Sequence, residues 1–236
     1  MFDVDGATVY VGERQFGERL RMEVRSGLYE MGRLGDRPFI VDCGANVGFA
    51  LAWFKQRNPS AVVAAFEPEP SAFSLLTKTV EANGWTHVEL VNAAVGTHDG
   101  VADLYFDPGR PGLPVSSTLP DRRPNAPMGT VESIPVRCVR LAGWLAEREP
   151  VDLLKLDIEG AEGAVIEDLH RAGVLPRISR IAIEFHHNVP GAGRLPDTLR
   201  VLEDAHFGYE LFADQRPNPK VSPRIQDVMI YATRET

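Results

Sequence analysis

Val41-Asp42-Cys43-Gly44-Ala45-Asn46-Val47-Gly48 joins an apolar, strand-like run to a helix-compatible one. Phe39 to Asp42 reads as the first convincing strand, after the turn-forming Gly35-Asp36-Arg37-Pro38. A helix is expected from about Val47 to Arg57, stopping before Asn58-Pro59 because proline disfavours helix at the preceding residue. The stretch therefore lies at the carboxyl edge of a sheet, where ligands bind in open α/β folds. Gly44 permits a tight turn with close backbone approach, and Gly48 lets the helix pack near the strand.

Outward from that turn, short apolar runs alternate with helical segments, the pattern of an α/β sheet with helices on both faces. Ala61 to Phe66 reads as the second strand, and Ser71 as the N-cap of a helix reaching Ala82 and closed by Asn83-Gly84. Val88 to Val95 and Val101 to Phe106 read as strands. Residues 107–130 are rich in Pro, Gly and Arg and lack periodicity, which suits a functional loop on the substrate side. Ser133 to Val139 is a strand, Leu141 to Arg148 a short helix, and Val151 to Leu156 a buried strand leading to a helix from Ala161 to Arg171. Ile181 to Phe185 is followed by a helix over 197–205, with Asp197 as its cap. Tyr209 to Phe212 and Val228 to Thr233 are the last strands. Their helix-free link, including the substrate-side loop 213–226, favours antiparallel pairing.

The 236 residues fit one domain, 1–236, with 1–38 as an N-terminal extension expected to cover the bound cofactor. A net charge of -8 argues against a nucleic-acid partner. No apolar run approaches the roughly 20 residues of a membrane span, and the acidic start lacks a signal-peptide pattern. Two cysteines, Cys43 and Cys138, make neither a disulfide framework nor a zinc site, so a cytoplasmic location is expected. Oligomeric state is not encoded in any motif.

The glycine pattern separates two cofactor classes. A dinucleotide fingerprint reads Gly-x-Gly-x-x-Gly and accepts a pyrophosphate on backbone N–H groups. Here Asp42 stands where the first glycine would, giving Asp-x-Gly-x-x-x-Gly. A carboxylate repels a pyrophosphate and attracts the cationic methionine end of S-adenosylmethionine. Glu67, closing the second strand, suits a ribose diol.

With Phe66-Glu67-Pro68, Ala93-Ala94-Val95-Gly96, Leu154-Lys155-Leu156-Asp157-Ile158-Glu159-Gly160-Ala161-Glu162 and Ile183-Glu184-Phe185-His186, the chain resembles the FkbM family of methyltransferases over residues 39–190. The resemblance implies a class I methyltransferase fold: a Rossmann-like three-layer sandwich around a mostly parallel seven-stranded sheet with an antiparallel last strand. It implies S-adenosylmethionine as cofactor and O-methylation of natural products or sugars, an activity of secondary metabolism. It places Asp42, Gly44, Ala45 and Asn46 around the methionine end, Glu67 on the ribose, and Pro68, Asn92, Ala93 and Ala94 beside the adenine. Ser117 matches a serine-rich element approaching cofactor or substrate, and Tyr29-Glu30 resembles a Tyr-Glu pair upstream of the first strand.

An alcohol acceptor benefits from a group that takes its proton. Asp157, Glu184 and His186 stand at the ends of successive strands, with Glu184 and His186 on one face by two-residue spacing. His186 is the expected base, oriented by Asp157 or Glu184, and Asp157 also borders the cofactor. Glu159 reads equally well as an acid capping the next helix, and Glu162 as a first-turn acid favoured by the helix dipole. Asp157, Glu184 and His186 can also offer ligands to Mg²⁺, yet no dense motif demands a metal and none is expected. Rival functions are methylation of a carboxylate or nitrogen on a small-molecule acceptor, and cofactor binding without catalysis. A nicotinamide oxidoreductase is disfavoured by the glycine pattern.

Overall fold

In a computed structural model, residues 1–106, 117–119, 132–189, 191–213 and 226–234 are described. In chain order the elements are β1 (Phe2–Val4), β2 (Ala7–Val9), α1 (Arg14–Arg25), β3 (Phe39–Cys43), α2 (Phe49–Arg57), β4 (Val62–Phe66), α3 (Pro70–Ala82), β5 (Val88–Val91), β6 (Ala94–Gly96) and β7 (Gly100–Phe106). They continue as β8 (Glu132–Arg140), α4 (Leu141–Ala146), β9 (Leu153–Leu156), α5 (Glu162–Arg171), β10 (Arg180–His187), α6 (Leu195–Asp204), β11 (Phe207–Phe212) and β12 (Gln226–Arg234).

Seven strands form the main sheet in the order β11-β12-β10-β9-β3-β4-β5. β12 runs antiparallel to both β10 and β11, while β10-β9, β9-β3, β3-β4 and β4-β5 pair in parallel. The mostly parallel sheet with an antiparallel last strand is the architecture read from the sequence. The first connection leads from β3 to β4 on one side, and β9 later adds on the other side of β3. That reversal opens a crevice at the strands' carboxyl ends.

Alternation along the buried strands separates two cores. Val41, Cys43, Ala64, Phe66, Leu154 and Leu156 pack with residues of α4, α5 and α6. Ile40, Val63, Ala65 and Leu153 pack with α1, α2 and α3. The N-terminal segment belongs to the second core and is pinned there by Asn83, which accepts from Thr8 N–H at 2.9 Å and donates to the Thr8 carbonyl at 2.7 Å.

Several local expectations are corrected. The strand expected over Val88 to Val95 is two, β5 in the main sheet and β6 in a side sheet ordered β6-β8-β7. The chain turns at Asn92, whose amide donates to the carbonyls of Glu67 and Pro68 at 2.8 and 3.3 Å. Glu69, not Ser71, caps α3: its carboxylate accepts from the N–H of Ser71 and Ala72, with Pro70 preset for the first helical position. Asp197 lies inside the first turn of α6, and Arg194 is the N-cap. The loops 107–130 and 213–226 lie outside the described residues except for 117–119, Ala213 and Gln226. Among the described residues no helix is long and apolar enough to cross a membrane.

Leu154 is fully buried in the middle of the sheet. Leu154→Ala is expected to lower the unfolding free energy by about 2–5 kcal/mol, read from the denaturation midpoint in urea at unchanged slope.

Candidate active site

The strand ends at the switch point bring Glu67 and Asp157, two of the expected acids, to one place. Gly44, Ala45 and Asn46 from the turn after β3, Glu67 and Pro68 after β4, and Asp157, Ile158 and Glu159 after β9 line one cleft. Ala93, Ala94 and Leu104 add an apolar wall, and Leu20, Val24, Leu28 and Tyr29 bring the N-terminal segment onto the same cleft.

The glycine turn is dictated by crowding. Gly44 has φ +84°, and a Cβ there would lie 1.8 Å from the Asp157 carbonyl oxygen. Only glycine allows the β3 and β9 ends to approach so closely. Glu67 is held by the N–H groups of Asn46 at 2.9 Å and Glu69 at 2.8 Å. Burial nevertheless pushes its carboxyl up to about 7.

Beneath the turn lies a buried lysine. Lys155 Nζ is 3.0 Å from Asp42 Oδ1 and 3.5 Å from Asp157 Oδ2, and it donates to the Gly44 carbonyl at 2.9 Å. Its ammonium also stands 5.4 Å from the Tyr29 ring centre. Burial opposes its charge, but Asp42 and Asp157 hold it well above the ordinary lysine range. Burial raises the Asp42 carboxyl, and Lys155 works against that rise.

A second group of acids surrounds His186. The imidazole is 1% exposed, with Nδ1 2.9 Å from Glu162 Oε1 and Nε2 3.3 Å from Glu159 Oε2. Burial opposes ionisation of Glu162, yet His186 and the Gly160 N–H hold its carboxyl below the usual range. As a carboxylate Glu162 only accepts, so Nδ1 carries the proton between them. The ligand-capable atoms of Asp157, Glu159 and His186 lie within 4.8 Å of one another, close enough to share a small cation.

Sequence comparison gives this geometry a lineage. The family model described as methyltransferase FkbM domain matches residues 42–211. The chain belongs to the FkbM methyltransferase family. It is 31% identical over 157 residues to Methyltransferase 1 of Beauveria bassiana (strain ARSEF 2860), spanning 60% of this chain and 62% of that protein. It is 27% identical over 187 residues to the 2-O-methyltransferase NoeI of Sinorhizobium fredii (strain NBRC 101917 / NGR234), spanning 75% and 74% respectively. In fold it is similar to TYW2 of M. jannaschii, solved in complex with AdoMet, with a TM-score of 0.51 and 14% identity over 98% of this chain and 84% of that one.

Within this FkbM chain the sequence-predicted residues occupy distinct layers. Gly44, Ala45, Asn46, Glu67, Pro68, Ala93, Ala94 and Asp157 line the cleft. Asp42 is fully buried under it, against Lys155. Asn92 is exposed and ties the ends of β4 and β5 together. The Ser117 hydroxyl donates to the Glu159 carbonyl at 2.6 Å, and its neighbour Thr118 is the one on the cleft. His186 is oriented by Glu162, not by Asp157 or Glu184, because the first turn of α5 brings that carboxylate directly against the ring. Sequence reasoning gave no role to Lys155 and only a helix-dipole role to Glu162. A lysine inside the buried run Leu153-Leu154-Lys155-Leu156 was the available signal, since such a charge requires a partner.

Glu184 tests the electrostatics of this FkbM site. Burial, reinforced by Asp157, raises its carboxyl from the ordinary 4.5 to about 8. The folded chain thus keeps a proton that the unfolded chain releases, and stability falls as pH rises across that interval. Glu184→Gln is expected to raise the thermal midpoint above that of the parent at pH 8, with the difference vanishing near pH 4.5 in calorimetric scans.

Proposed function

We propose that this protein is an S-adenosylmethionine-dependent methyltransferase that methylates a hydroxyl of a small molecule. The observation that carries the reading is the cleft itself, where Glu67 and Asp157 face a glycine turn that admits no side chain. The residues present suit the cofactor. The Glu67 carboxylate matches two ribose hydroxyls, Pro68, Ala93, Ala94 and Leu104 offer apolar contact to an adenine, and Asp157 with Asn46 answers a cationic amino-acid end. Asp42 acts from below, and Asn92 and Ser117 hold the walls. When bound, the cofactor supplies a methyl group on a cationic sulfur, the electrophile for an in-line displacement.

The chain's own residues then position, exclude water and handle one proton. Asp157, Glu184 and His186 are assigned to that proton. The N-terminal segment 1–38 is assigned to covering the cofactor, supported by Leu20, Val24 and Leu28 on the cleft. The loops 107–130 and 213–226 are assigned to the acceptor. Hydroxyl methylation draws support from a relative described as a 2-O-methyltransferase. A net charge of -8 favours a small-molecule acceptor over nucleic acid, and two free cysteines suit the cytoplasm.

Calorimetry with the purified protein is expected to show binding of S-adenosylmethionine and of its demethylated product, and none of NADH. A folded protein that binds neither sulfur compound ends the reading. A screen with radiolabelled methyl donor against hydroxylated, carboxylated and amine acceptors separates O-methylation from its carboxylate and nitrogen rivals, and binding without turnover on any of them favours a regulatory protein.

His186→Ala is expected to preserve donor affinity and to lower turnover by about 100-fold or more. Turnover is expected to survive dialysis against a chelator. Loss of activity restored by Mg²⁺ would instead favour a metal-assisted version at Asp157, Glu159 and His186.

A further inference from the structure

Glu159 has φ +60°, a left-handed conformation that costs a non-glycine residue on the order of 1–3 kcal/mol and persists only where neighbours enforce it. The neighbours are identifiable. The Glu162 carboxylate accepts from Ile158 N–H at 3.0 Å and from Gly160 N–H at 3.0 and 3.1 Å, clamping the turn on both sides of Glu159. The Ser117 hydroxyl holds the Glu159 carbonyl. The clamped turn sets Glu159 on the cleft wall with Oε2 reaching His186 Nε2. His186, by contrast, is 1% exposed and does not line the cleft.

These positions form a line: Glu162, then the imidazole, then Glu159, then the cleft. Glu162 occupies Nδ1 as an acceptor, which leaves Nε2 as the ring atom able to exchange a proton with Glu159. Such an arrangement puts the buried histidine one group away from any acceptor. We propose that Glu159 is the catalytic base that meets the acceptor hydroxyl, with His186 and Glu162 as the positioning pair behind it. The inference rests on the methyl-transfer reading above.

In the reaction Glu159 takes the hydroxyl proton while the acceptor oxygen bonds to the methyl carbon. The carbon–sulfur bond breaks with its electron pair remaining on sulfur, which becomes neutral. The proton on Glu159 passes to Nε2, and the resulting imidazolium lies between two carboxylates that stabilise it. The Glu162 clamp serves both ends of the line, since one carboxylate fixes the ring and the strained turn that aims Glu159.

The test uses protein labelled with ¹⁵N in its histidine rings and S-adenosylhomocysteine as the probe ligand. Glu159→Gln and Glu162→Gln are expected to bind the probe within about threefold of the parent. In NMR spectra Glu159→Gln moves the His186 Nε2 signal and Glu162→Gln the Nδ1 signal. With radiolabelled donor and a panel of monosaccharides and phenols as acceptors, Glu159→Gln lowers kcat about 100-fold or more at unchanged donor KM, and Glu159→Asp recovers part of it. His186→Gln, whose side-chain amide can hold the Glu159 carboxyl group by a hydrogen bond, keeps more kcat than His186→Leu. Full kcat in Glu159→Gln, or an Nε2 signal that ignores the substitution, overturns the proposal. A parent that turns over no probe, or fails to bind S-adenosylhomocysteine, counts against the methyl-transfer reading instead, and the NMR result then decides the Glu159–His186 coupling alone.

Discussion

The contact between Lys155 and Asp42 organises everything above it. Both side chains are essentially buried, at 2% and 0% exposure, and each belongs to a central strand end, so the pair joins β9 to β3 where their backbones nearly touch. Removing one partner of such a pair typically costs about 3–5 kcal/mol, because the other charge is left without compensation. The same ammonium holds the Gly44 carbonyl and reaches Asp157. One cation thereby sets the shape of the glycine turn and the direction of the acid facing the cleft.

Charge is distributed unevenly around that cation. Asp42, Asp157, Glu159, Glu162 and Glu184 all stand near the ends of β3, β9 and β10, against Lys155 and the imidazole of His186. Burial, reinforced by the Asp157 charge, raises the Glu184 carboxyl to about 8. A cleft with excess negative charge favours a cationic occupant, and a sulfonium cofactor is one that loses its charge as it reacts. Electrostatics of this kind draws the donor in and weakens its hold once the methyl has gone.

Legibility in the sequence followed the range of the interactions. Parallel strands buried on both faces produce continuous apolar runs, so β3, β4, β9 and β10 were readable to within a residue or two. The turn at Gly44 was readable because a backbone approach of this kind excludes every side chain. The break at Asn92 was not, since an apolar run continues through it and only a contact with the carbonyls of Glu67 and Pro68 bends the chain. Glu69 as a cap was hidden for a different reason: Ser71 has the commoner capping side chain, and the proline between them shifts the helix start. The partnership of Glu162 with His186 spans 24 residues and two elements, so no local pattern announces it. The N-terminal hairpin and α1 depend on Asn83 and on the face of α2, which is why residues 1–38 carried so weak a signal on their own.

β12 lies between β10 and β11, pairing with both along most of its length. The strand nearest the end of the described chain therefore fills an interior slot. Until residues 226–234 have been synthesised, β10 has an open side with no partner there, and β11 has no sheet to join. The two cores can begin to collapse during translation, but the sheet can close only after residues 226–234 have left the ribosome. A nascent chain paused before that point exposes the hydrogen-bonding edge of an apolar strand, the kind of surface that recruits chaperones or other chains. Placing the last-made strand of the sheet inside it, antiparallel to both neighbours, makes the emergence of residues 226–234 a checkpoint for folding.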